Sequence, residues 1–73
     1  MNIGTQVRLV GIPDDLPSTP DLPTKAVFAQ CVGHEFVVAG LNDLGMAELI
    51  VESVTGRTGE TIWVEPEFLE ILS

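Results

Sequence analysis

The sequence predicts an all-β fold, a small five-stranded barrel with one short helix inserted after the first strand, and three observations carry that prediction. The last thirteen or so residues alternate like a strand from Thr61 to Glu65, break at Pro66, which has no N–H for a ladder, and resume an apolar run through Leu72. A strand, one tight turn and a short final strand is a common way for small five-stranded barrels to close. Further upstream, residues 5–10, 35–40 and 46–53 alternate or run apolar between glycine-bearing and proline-bearing breaks. The whole chain is 73 residues, which fits one domain spanning 1–73. At that size only roughly 60% of the unfolded surface is buried, so little core is to spare.

In the first strand Val7 and Leu9 share one face and Gln6 and Arg8 the other, with Gly4 and Gly11-Ile12-Pro13 at its ends. Residues 11–23 hold four prolines and three aspartates, Asp14, Asp15 and Asp21, which disfavour both ladder and helix and predict a long, stiffened surface loop. Residues 24–32 read as the helix. Thr24 is placed to cap it, Gly33 to allow a left-handed turn after it, and Val27, Phe28 and Cys31 fall on one face. That face is expected to lie over the mouth of the barrel.

The two following strands are joined by Leu41-Asn42-Asp43-Leu44-Gly45, and a tight turn at residues 55–59 leads into the terminal stretch. Pairing Leu49 with both Val38 and Val64 turns Phe36, Val38, Ala47, Leu49, Val51, Ile62 and Val64 to one side, as a core requires. The opposite side then carries Glu48, Glu52, Thr61 and Glu65 around Val37, Ile50 and Trp63, which fall opposite one another across three strands. A contiguous apolar patch with an acidic rim and a tryptophan anchor is a candidate interaction surface. The competing expectation is that the 11–23 loop or the helix folds back over Trp63 and makes it part of a second small core.

Eleven carboxylates against Arg8, Lys25 and Arg57 give a net charge of −8. Affinity for nucleic acid rests on neutralising phosphates, so this balance argues against nucleic acid as a partner, and it disfavours anionic membrane surfaces for the same reason. A single cysteine, Cys31, excludes an internal disulfide and fits a reducing compartment. With no basic segment leading into an apolar core at the start, and no apolar stretch near the roughly 20 residues of a membrane helix, the expected location is the cytoplasm.

Residue types that bring chemistry are sparse. Cys31 and His34 are two soft ligands where zinc needs three or four. Asp14, Asp15 and Asp21 lack the set spacing and the glycine of a calcium loop. Gly56-Arg57-Thr58-Gly59 lacks the lysine and helix of a phosphate loop and reads as a hairpin turn. Glu48, Glu52 and Glu65 lie on a water-filled face with no desolvation to separate their pKa values into acid and base. The sequence therefore nominates no catalytic residue, no metal ligand set and no cofactor.

Trp63-Val64 and Phe68-Leu69 stand at the spacing of an aromatic-aliphatic pair, one turn of 3₁₀ helix and a second such pair, and in this the chain resembles Src-homology-3-like barrels. The opening Gly4-Thr5-Gln6-Val7-Arg8-Leu9 fits the first strand of such a barrel, with residues 11–33 as an enlarged first loop containing the helix. The peptide-binding members carry a tyrosine cluster and a proline directly after the aliphatic residue. Here there is no tyrosine and the proline is Pro66, so recognition of proline-rich peptides is not implied.

The Gly4…Val7-Arg8 start also resembles type II dihydrofolate reductase, a small barrel that works as a tetramer, whose Gln-Ile-Tyr segment would fall on Thr61-Ile62-Trp63. The glutamine is replaced by Thr61, so the resemblance does not carry that activity over. In size and lack of motifs the chain also resembles small proteins carried on bacterial mobile elements.

The function expected from the sequence is a non-enzymatic binding module that meets a protein partner through Trp63, Ile50 and Val37, with Glu48, Glu52 and Glu65 steering basic surfaces. Self-assembly into a homo-oligomer through the same stripe is the alternative, and an enzyme formed only in the oligomer a more distant one.

Overall fold

β1 (Gln6–Leu9), α1 (Thr24–Cys31), β2 (Glu35–Leu41), β3 (Ala47–Ile50), α2 (Glu52–Thr55), β4 (Thr61–Val64) and β5 (Leu69–Ile71) follow one another in the computed structural model, which describes residues 1–14, 16 and 24–72. A 3₁₀ turn, Pro66–Phe68, joins β4 to β5. The strands form one antiparallel sheet in the order β4-β3-β2-β1-β5, so β4 and β5 are its outer strands and the sheet is open among the described residues.

β2 is the hinge of this sheet. Its first half pairs with β1 (Gln6↔Val37, Val7↔Phe36, Arg8↔Glu35) and its second half with β3 (Val38↔Leu49, Gly40↔Glu48, Leu41↔Ala47). The register slips by one between Val38 and Gly40, a bulge that lets one strand serve two partners. The β2–β3 turn is organised by Asn42, whose side-chain oxygen accepts from the Leu44 and Met46 N–H groups at 3.0 and 2.9 Å.

Alternation places the core as the sequence predicts. Val7, Leu9, Phe36, Val38, Ala47, Leu49, Val51, Ile62 and Val64 are buried, together with Val27, Phe28 and Cys31 from α1. α1 begins at Thr24 itself, so the capping position falls on residue 23, outside the described residues. Gly33 takes the left-handed conformation (φ +88°) and its N–H donates to the Leu9 carbonyl at 2.8 Å, which ties the end of the helix to β1. The 11–23 loop expected from its prolines and aspartates lies largely outside the described residues; Ile12 and Leu16, which are described, pack against the core.

Two expectations are corrected. The third strand ends at Ile50 rather than Ser53, and residues 52–55 form a turn of helix, making two α-helical segments among the described residues instead of one. The Val51 carbonyl accepts from the Val54 and Thr55 N–H groups, both at 3.0 Å, and Gly56 closes the turn at φ +77° with its N–H on the Glu52 carbonyl. The link between β3 and β4 is thus α2 plus a second turn, and not a tight hairpin. The second correction concerns register: Leu49 pairs with Ile62, and Val64 with Ala47. A slip of two residues keeps every side chain on its predicted face but moves its neighbours along the strand.

Candidate functional site

The outer face of the sheet is divided into two chemically different halves. Across β2, β1 and β5, Arg8 stands between Glu35 and Glu70, with Nη1 on Glu70 Oε1 at 2.8 Å and Nη2 on Glu35 Oε2 at 3.4 Å. Exposed pairs of this kind contribute at most about 1 kcal/mol each, but they give that half a polar, internally matched surface. Across β2, β3 and β4 the outward apolar side chains are Val37, Ile50 and Trp63, exposed at 52, 50 and 39%, with Glu48 and Thr61 opposite Trp63 and Ile50 on the same face.

Register fixes how these three sit. Extending the Val38↔Leu49 pairing by one step places Val37 opposite Ile50, and Ile50 is opposite Thr61. Trp63 is opposite Glu48, one row further toward the β2–β3 turn. The stripe is therefore diagonal, Val37 and Ile50 in one row and Trp63 beside them in the next, rather than three residues abreast. Diagonal neighbours on a sheet face stand about 7–8 Å apart, within reach of an indole.

Gly40 shows which way the indole leans. A methyl group built on Gly40 would come within 3.8 Å of Trp63 Cη2 and 2.9 Å of Glu48 Oε1, so the ring crosses over β3 toward β2 alongside the Glu48 carboxylate. A glycine inside a strand marks a bulge or a close approach, and Gly40 serves as both. That signal was present in the sequence, where Gly40 reads only as the end of a strand.

The predicted acidic rim is redistributed. Glu48 is half-buried beside Trp63, and Glu65 is exposed just beyond β4. Glu52 leaves the sheet face: it opens α2, and its Oε1 accepts from the Gly59 N–H at 3.2 Å, bracing the turn before β4. The apolar face of α1 is seated on the main core through Val27, Phe28 and Cys31, and Trp63 is 39% exposed; the expectation that the 11–23 loop covers it falls largely outside the described residues.

A cleft of about 130 Å³ lies between α1 and the α2 turn, lined by Ala26, Val27, Gln30, Thr55, Arg57 and Glu60. It falls below the roughly 300 Å³ at which small-molecule pockets begin. Arg57 Nη1 meets Glu60 Oε2 at 3.3 Å, while Glu60 Oε1 is sealed from solvent with no partner among the described residues. His34, the one histidine, is exposed, and Cys31 is buried in the core.

Burial pushes the Cys31 thiol up from its ordinary value, and the negative charge of Glu60 adds to the shift. A thiol that ionises later in the folded than in the unfolded chain stabilises the fold below the unfolded value, and that contribution fades as pH rises above it. The urea midpoint is therefore expected to fall as pH climbs beyond about 9, the unperturbed value, and Cys31→Ala should flatten that alkaline limb. An unchanged limb in the variant would show that Cys31 does not produce it.

Among the described residues no helix is long and apolar enough to cross a membrane. Compared with protein-family models, characterised proteins and solved structures, the chain matches none of them.

Proposed function

We propose that this chain is a non-enzymatic binding module, a Src-homology-3-like barrel in one domain, that engages a basic protein partner through Trp63, Ile50 and Val37 with Glu48 and Glu65 at the rim. The observation that carries the reading is the exposure of Trp63 beside Ile50 and Val37 on a face whose other half is occupied by ion pairs. Indole and aliphatic side chains gathered on one exposed face gain by being covered, and tryptophan is a favoured anchor for a protein partner. The strand order β4-β3-β2-β1-β5, with a 3₁₀ turn carrying the chain from one outer strand to the other, supports the barrel reading.

Net charge selects the partner. At −8 the chain attracts basic surfaces and repels its own copies, so the rim favours a foreign partner over a second copy at low salt. Trp63 is the only tryptophan, which makes its fluorescence a direct probe of the site. Titration with a short peptide of alternating lysine and valine is expected to shift the emission to the blue at low salt, with affinity falling about tenfold or more at high salt. A blue shift that follows protein concentration alone and strengthens with salt would replace this reading by self-assembly. No shift under either condition would remove the stripe as a binding surface.

A further inference from the structure

We propose, resting on that reading, that the partner enters as an extended strand which pairs with the open edge of β4 and lays basic side chains over Trp63 and against Glu48 and Glu65. The hydrogen-bond parity of β4 supplies the first reason. The Val51 N–H donates to the Glu60 carbonyl at 2.9 Å in the same register that pairs Leu49 with Ile62. In an antiparallel ladder the backbone groups alternate in direction, so Ile62 and Val64 turn theirs toward β3 while Thr61 and Trp63 turn theirs away from it. β4 is an outer strand, and no strand lies beside that edge among the described residues. Thr61 and Trp63 thus offer two N–H and two C=O groups in a row, the pattern an added strand requires.

The second reason is that β4 lacks the features that usually blunt an exposed edge. It has no lysine, no proline and no bulge within Thr61–Val64, and its four positions pair with β3 in unbroken register. The ladder ends at a defined point: the Glu65 carbonyl accepts from the Phe68 N–H at 3.0 Å, and Pro66 has no N–H. The site is therefore short, with room for an extended segment of about four or five residues.

Charge then chooses among possible strands. A second copy of β4 would bring another Glu65 and Glu48 to a surface that already holds both, whereas lysine or arginine at alternate positions would meet these carboxylates and stack on the indole. The inferred partner segment thus alternates basic residues, on the Trp63 side, with small apolar ones on the other.

The test is amide-resolved NMR with the lysine-valine peptide and with two forms of it N-methylated at alternate amides. N-methylation of one set removes the donors that face β4, and methylation of the other set leaves them. The parent peptide is expected to shift the Thr61 and Trp63 backbone amides and slow their hydrogen exchange. One methylated form should bind about tenfold or more weaker and the other close to the parent. If both methylated forms bind as the parent does, with the indole N–H shifting but no added exchange protection at Thr61 and Trp63, strand pairing is overturned while the apolar surface stands. If no peptide shifts either the indole or the β4 amides, both the pairing and the proposed function are overturned.

Discussion

Phe28→Ala is expected to lower the unfolding free energy by about 3–5 kcal/mol. Phe28 is 2% exposed and stands with Val27 and Cys31 on the one apolar face of an eight-residue helix. A helix of that length is not stable alone in water, so its persistence depends on this face being seated on the sheet. For a domain of this size the total stability lies near the lower end of about 5–15 kcal/mol, and the loss would consume most of it. Urea denaturation followed by circular dichroism measures this directly, and Phe28→Leu, which retains most of the volume, should recover a large part of the difference. A cost below about 1 kcal/mol for Phe28→Ala would mean that α1 is dispensable to the core.

Trp63→Asp is expected to do the opposite: to leave the fold in place and remove binding. Trp63 is 39% exposed on the outer face and its neighbours in the sheet, Ile62 and Val64, carry the core contacts. Replacing an aromatic by aspartate on a strand costs about 1 kcal/mol of strand preference, small against the loss expected if Trp63 is the anchor proposed for it. Hot-spot tryptophans are worth about 2–4 kcal/mol or more on truncation, which corresponds to roughly 30- to 1000-fold in Kd. The aspartate also adds a third carboxylate beside Glu48 and Glu65, but a basic partner gains little from it once the indole is gone. Isothermal titration with the lysine-valine peptide, alongside circular dichroism, separates the two effects. Loss of the folded signal in Trp63→Asp would show that the indole belongs to the core.

How much of this was legible beforehand follows from what strand alternation does and does not encode. A period of two assigns faces, so all seven residues predicted to point inward from the later strands do so, even though Leu49 pairs with Ile62 instead of Val64. Faces are a parity, and parity survives a slip of two; the position of Trp63 beside Glu48 instead of Ile50 does not. The core of α1 was legible because Val27, Phe28 and Cys31 repeat at three and four residues. α2 was not, because Glu52-Ser53-Val54-Thr55 is a single turn rich in strand formers, and what holds it is the Val51 carbonyl at one end and the left-handed Gly56 at the other. That turn carried Glu52 away from the rim to which alternation had assigned it. The bulge between Val38 and Gly40 left one mark in the sequence, the glycine itself, but the register shift it produces is visible only against the partner strand.

If the Trp63 surface is open to a foreign basic partner, as proposed, the purified chain does not bury it between its own copies. Sedimentation velocity of the purified chain, over a wide concentration range at low and high salt, tests it most directly. A monomer throughout is expected at low salt, since copies with a charge of −8 repel one another, and no more than weak association when salt screens them. A stable dimer or tetramer at low salt that dissociates in Trp63→Asp would contradict it, because the surface assigned to a partner would then be spent between copies of this chain.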